Sequence, residues 1–330
     1  MKKQLKIDKQ KNLFNVIKQT ITSKIDLVEI VSELLDISTH SAYRRIRGEK
    51  LLDFEEFMIL SNHFRIAPSS FMTIPDNNEI QCRYTRMDLL NSNNYINYLH
   101  DLEKNIAGVC ALKTGEIIFS AEDIPLFYYG QSKELILFRL FSWSYGFYGF
   151  SGNFDDFLRD HDFNKILQYY KKIFDLYLIV PSIDIWSDYS IERMITVLNY
   201  HYEIENFSDK RCPLIICEQM IEMLETMEIW SNNGGKSDTQ TPFKLYVSEI
   251  PINNTLLLLK KNEATNCVLK LFTINHFNIN DLNFCKEAEL WLNNTIRRSI
   301  LISGASVRER RKFFADKRDK INKIINKIKL

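Results

Sequence analysis

An α+β fold, mainly helical, is what this sequence predicts: a small helical bundle in front, then a larger body with a modest, largely antiparallel sheet. Three observations lead there. Residues 1–75 show only the 3.6-residue apolar periodicity of short amphipathic helices. Short β-branched and aromatic runs, bounded by Asn and Pro turns, begin only after Pro75-Asp76-Asn77-Asn78. Long helical stretches separate the early runs from the late ones. At 330 residues the chain also exceeds what one hydrophobic core usually spans. The expected domains are therefore 1–75 and 76–330.

Composition bounds the possibilities. With 45% hydrophobic, 26% charged and 12% aromatic residues, there is ample material for packed cores, which excludes wholesale disorder. No run approaches the roughly 18 apolar residues of a membrane span, and the Lys-rich start leads into an amphipathic segment rather than a signal peptide. A cytoplasmic protein with no membrane partner is expected. Cys82, Cys110, Cys212, Cys217, Cys267 and Cys285 form no C-x-x-C pair and no zinc spacing, so they read as buried free thiols. Neither a metal nor a cofactor is expected. The net charge of +1 hides a segregation: +3 over residues 1–72, −11 over 73–296 and +9 over 297–330. Basic ends around an acidic body suit termini that meet a polyanion.

In the front module, Leu13, Phe14, Ile17 and Ile21 share one helical stripe, and Leu27, Ile30, Val31, Leu34 and Leu35 share a second. Asp26 with Glu29, and Asp53 with Glu56, have capping-box spacing. Ser38 is a fitting N-cap for a third helix from Thr39 to Arg47, with Gly48 as its C′ residue. Pro68-Ser69-Ser70 starts a last short turn. The third helix is unlike the rest. It offers only Ala42 and Ile46 to a core, so Thr39, His40, Ser41, Tyr43, Arg44, Arg45 and Arg47 are expected outside. Small residues at its start and arginines along it are what a major-groove helix needs, because arginine takes guanine O6 and N7 together.

The run Ile37-Ser38-Thr39-His40-Ser41-Ala42-Tyr43-Arg44-Arg45-Ile46-Arg47-Gly48 resembles the turn and recognition helix of the phage-repressor-like, XRE-type helix-turn-helix family. Leu52 to Phe71 resembles that family's supporting helices. The resemblance implies that Thr39, His40, Tyr43 and Arg44 face bases, while Ser38, Ser41, Arg47 and Lys50 face phosphates. The chain departs from the family at Ala42, where a bulky residue is common, and at Arg45, where an aromatic or aliphatic one is. The whole chain, including Ala121-Glu122-Asp123-Ile124-Pro125-Leu126-Phe127 and Leu301-Ile302-Ser303-Gly304, is similar to a group of uncharacterised bacterial transcription regulators.

In the body, strands are expected at 79–83, 116–120, 243–250, 255–260 and 267–273, and helices at roughly 92–105, 133–147, 154–178, 187–204 and 213–230. The aromatic runs Phe127-Tyr128-Tyr129 and Leu137 to Phe150 suit a packed core better than a pocket, since the second has helical periodicity. Gly234-Gly235-Lys236-Ser237 lacks the first glycine of a phosphate-binding loop and reads as a turn. Asp160-His161-Asp162 cannot turn three adjacent side chains to one ion and reads as a solvated helix turn. Ser303-Gly304-Ala305-Ser306 lacks the nucleophile-elbow spacing. No catalytic residue is nominated.

A helix through Trp291 and Ile302, ended by Gly304, precedes a last one capped by Ser306 and Glu309. That last helix pairs an isoleucine-rich side with basic residues over much of the rest. Packing on the body, pairing with a second copy, and contact with phosphates or an anionic membrane all remain open for it. The expected function is a sequence-specific DNA-binding transcription regulator, a homodimer on double-stranded DNA, whose body senses an unknown effector or assembles the oligomer. The alternatives are an enzyme of unknown reaction tethered to a DNA-binding module, and a protein-interaction adaptor that does not bind DNA.

Overall fold

Capping residues set the helices of the first unit. In the computed structural model, which describes residues 2–20, 26–64, 66, 80, 82–89, 92–236, 240–252, 254–261, 264–272 and 274–330, Asp26 accepts from the Val28 amide at 3.0 Å and opens the second helix. The first unit contains α1 (Lys2–Thr20), α2 (Leu27–Leu34), α3 (Thr39–Ile46) and α4 (Phe54–His63). Ser38 caps α3, and Asp53 and Glu56 close a full capping box on α4 with bonds of 2.8 and 3.2 Å. Leu13, Phe14 and Ile17 of α1, Val31, Ala42, Leu60 and Ile66 form the core. The sequence stripes predict most of that set. The Pro68 to Ser70 turn and the Pro75 to Asn78 break lie outside the described residues.

The chain divides into two compact units, residues 1–81 and 82–330. The second begins with β1 (Cys82–Thr85) and α5 (Ser92–Cys110), followed by β2 (Glu116–Ala121) and a 3-10 turn over Leu126–Gln131. Then come α6 (Lys133–Phe147), α7 (Phe154–Asp160), α8 (Asn164–Leu178), β3 (Ser182–Ser187), α9 (Glu192–Glu203) and α10 (Cys212–Asn233). The remainder is β4 (Gly235–Lys236), β5 (Thr241–Ser248), β6 (Leu256–Lys261), β7 (Ala264–Leu271), β8 (Asn275–Ile279), α11 (Leu282–Arg297), β9 (Ile300–Leu301) and α12 (Val307–Lys329).

The fold is α+β and mainly helical. Its sheet is larger than the five predicted runs: among the described residues it has nine strands, in the order β1-β8-β7-β6-β2-β3-β5-β4, with β9 also on β5. Most pairings are antiparallel, but β2, β3 and β5 are mutually parallel. Parallel neighbours need crossovers, and the helices between these strands provide them. Alternation then sorts the side chains. Ile117, Phe119 and Ala121 of β2 face a large core with α5, α6, α8, α10 and α12, whereas Ile118 faces a smaller one with Cys285, Ala288 and Leu292 of α11. The sheet is thus sandwiched between a thick helical layer and a single helix.

Several boundaries differ from expectation. The predicted helix 154–178 is two helices: α7 ends at Asp160 because His161 takes an extended backbone and turns its Nδ1 back to the Phe157 carbonyl at 3.0 Å, and α8 begins at Asn164. The predicted helix through Ile302 stops at Arg297, since Ile300 and Leu301 pair with Val247 and Tyr246 of β5 instead. Ser306 makes no side-chain cap on α12. All six cysteines are free thiols, but only Cys217, Cys267 and Cys285 are buried; Cys110 and Cys212 are half-buried and Cys82 is exposed. The aromatic runs do line the core, with Phe127, Tyr128, Phe138 and Phe141 all buried, although Phe147 is exposed.

That aromatic core encloses His201, which packs against Phe141 and Tyr145 and accepts from the Asn206 side-chain amide at 3.0 Å. Burial pushes its pKa down to about 4. The unfolded chain takes up this proton near pH 6.5 and the folded chain resists it until about pH 4. The stabilisation is therefore complete above pH 6.5 and is lost as pH falls between those values, by at most about 3 kcal/mol. Urea midpoints measured against pH should fall more steeply for the wild type than for His201→Gln. Parallel profiles would show that His201 is not the group responsible.

Candidate nucleic-acid interface

A helix can present a reading face only if its other face fixes its rotation. In α3, Ala42 is fully buried and Ile46 partly so, as the sequence predicts. Arg45, expected outside, instead points in and is only 3% exposed. Its Nε donates to Glu56 at 2.9 Å, its Nη2 pairs with the other Glu56 oxygen, and its Nη1 reaches the Ser41 carbonyl at 3.3 Å. The two-pronged bond holds the Glu56 carboxyl below its usual range and raises the guanidinium. Glu56 also accepts the Asp53 amide of the capping box, so one carboxylate joins the start of α4 to the inner face of α3.

Gln10 completes the support. It lies on the same stripe of α1 as Leu13, Phe14 and Ile17, and its side-chain amide donates to the Arg45 and Lys50 carbonyls at 2.7 and 2.8 Å. Its oxygen accepts from the Leu52 amide at 2.8 Å. A single glutamine thereby fixes the loop that follows α3. Gly48 in that loop has φ +75°, and a Cβ there would sit 2.9 Å from Ile7, so glycine is required on both counts. The sequence carries a signal for Gln10, a polar residue on an apolar stripe.

Thr39, His40, Tyr43, Arg44, Arg47 and Lys50 are all exposed. Ser38 and the half-buried Ser41 hydrogen-bond each other at 3.1 Å, and the Ser38 hydroxyl also accepts the Ser41 amide, so both serve the helix start. Arg47 lies over the Tyr43 ring at 4.3 Å and donates to its hydroxyl at 3.1 Å. Arg44 and Arg47 approach Glu49 at 3.7 and 3.9 Å, loose exposed pairs that a stronger anion can displace.

Loss of Arg45 should therefore act through the fold. Arg45→Ala is expected to remove about 3 kcal/mol from the first unit, because it strands the Glu56 carboxylate, and Arg45→Lys should not restore the two-pronged bond. Hydrogen exchange of the α3 and α4 amides measures this directly. Unchanged protection would show that the pair contributes nothing to the pose.

The C-terminal basic helix is largely spent on its own body. Arg310 and Lys317 are buried, the latter donating to the Asp188 carbonyl at 2.6 Å and to Glu192 at 2.8 Å. Arg318 pairs with Glu228, Lys320 with Glu192, and Lys327 with Glu203. Ile321 is buried and Ile324, Ile325 and Ile328 pack on the large core. The charge segregation seen along the chain is thus partly neutralised within one unit.

A second constellation lies inside that unit. Lys236, in the run that sequence reading takes as a turn, is fully buried, its ammonium donating to the Tyr177 and Val180 carbonyls at 2.5 and 2.6 Å and to Ser182 at 3.1 Å. Asp184 accepts from Tyr128 and Tyr177 at 2.7 and 3.0 Å. Burial raises the Asp184 carboxyl and lowers Lys236 to about 7, each partly offset by the other. The cavity bordering Tyr128 holds about 40 Å³, room for water rather than a substrate. No group of three His, Cys, Asp or Glu among the described residues is placed to hold a metal ion. No described helix is long and apolar enough to cross a membrane.

No protein-family model matches the chain, and no curated protein or solved structure matches it.

Proposed function

We propose that the chain is a sequence-specific DNA-binding transcription regulator that reads duplex DNA through α3, with the second unit sensing an effector or joining two copies. One observation carries this reading. The inner face of α3 is locked by Ala42, Gln10 and the Arg45–Glu56 pair, while Thr39, His40, Tyr43, Arg44, Arg47 and Lys50 stand exposed on and just after it. A rigid helix with small residues first and arginines next suits a major groove, where the first turns reach base edges and the flanking cations meet phosphates. Arg44→Ala should cost about 1–3 kcal/mol on the preferred duplex and much less on random DNA, read by competition binding. Equal losses on both would make Arg44 a phosphate contact.

Tyr43, Leu51 and Phe54, exposed beside α3 with Phe54 at 77%, favour a second reading, a protein-interaction adaptor. Under that reading the same arginine substitution leaves duplex binding undetectable in both proteins.

A further inference from the structure

The seam between α10 and α12 opens at one end into a groove of about 470 Å³, bounded by Glu225, Ile229 and Asn232 of α10 and by Val307, Arg310 and Arg311 of α12. Ile229 and Val307 are 59% and 46% exposed there, two aliphatic side chains with no cover. The floor is rigid. Arg310 donates to the Ile302 and Gly304 carbonyls at 3.1 and 2.8 Å and to Asn232 at 2.8 Å, so its guanidinium is committed within the chain.

Charge flanks the apolar centre on both sides. Glu218, Glu222 and Glu225 are exposed along α10, and Arg308, Arg311 and Lys312 are exposed at the start of α12. Arg318 meets Glu228 while Arg310 meets Asn232, so the two helices run antiparallel and the basic row lies at the end of α10 away from its acidic row. A surface with opposite charges at its two ends and apolar groups between them is complementary to itself under a two-fold rotation.

We propose that this α10–α12 face joins two copies of the chain, with a two-fold axis crossing the helices at Ile229. The acidic row of each copy then lies against the basic row of the other, and Ile229 of one copy meets the same residue of the second at the centre. Helices of 22 and 23 residues are each about 30 Å long and about 10 Å across. About an axis at Ile229, near the end of α10, two copies overlap over only part of this length, so the face lies at the small end of specific interfaces. This rests on the two-copy part of the proposed function and not on DNA recognition.

Light scattering of the full chain without DNA tests it. The wild type should have the mass of a dimer, and added salt should weaken it. Ile229→Asp should give a monomer with the wild-type circular dichroism spectrum, since the side chain is exposed in a single copy. Arg311→Glu should weaken the dimer by roughly tenfold or more, and Glu225→Arg in the same chain should restore it. A monomeric wild type, a dimer that survives Ile229→Asp, or a double reversal that fails to restore association would each overturn the face. A wild-type monomer that still binds duplex DNA would overturn this face while leaving the DNA-reading proposal standing.

Discussion

Lys236→Met is expected to cost about 3–5 kcal/mol, the range for removing one of two buried opposite charges, and to lower the melting temperature of the second unit by roughly 10 °C. Three acceptors lose their donor at once: the Tyr177 and Val180 carbonyls and the Ser182 hydroxyl. Tyr177 lies in the last turn of α8, where carbonyls have no intrahelical partner, so the ammonium acts as the cap of that helix. The Tyr177 ring, 3.5 Å from the ammonium, also loses its cation. Asp184 would remain buried with only the hydroxyls of Tyr128, Tyr177 and Ser182, and its carboxyl would then take up a proton more readily. Asp184→Leu combined with Lys236→Met removes both charges and should be less destabilised than the sum of the single changes. Thermal unfolding of the three variants checks this. Strict additivity, or a single-change cost below about 1 kcal/mol, would mean that the two charges are not energetically linked.

Much of the fold is legible in the sequence because its signals are local. Ser38, Asp53 and Glu56 announce helix starts that the structure places within a residue, and the α6 limits, Lys133 to Phe147, coincide with the predicted stretch. β3 is missed for a physical reason. Its residues Ser182-Ile183-Asp184-Ile185-Trp186-Ser187 put a carboxylate in the middle of a central strand, which is stable only because Tyr128, Tyr177 and Lys236 converge on it from distant parts of the chain. β9 and the shortened α11 likewise depend on the β5 edge, which no local pattern reveals.

The candidate site divides the same way. Exposed residues of α3 follow from helical periodicity, but Arg45 breaks the pattern, since arginine is ordinarily outside and only its partner Glu56, eleven positions on, draws it in. The basic last helix misleads more strongly. Counted along the chain, its cations look available to a polyanion, whereas Glu192, Glu203 and Glu228 already engage four of them in the fold.

The central proposal is that α3 reads duplex DNA, and the most direct measurement is binding of the full chain to a duplex selected from a random pool, titrated with salt. Arg44, Arg47 and Lys50 on each of two heads place six cations against the backbone and bases, so affinity should fall with a log–log slope near −5, about 10³-fold between roughly 50 and 200 mM salt. A single head gives about half that slope. The account predicts a selected duplex that competes well against random DNA and loses its advantage in Arg44→Ala. Failure of the full chain to retain any duplex at low salt, or binding that is indifferent to salt, would contradict it.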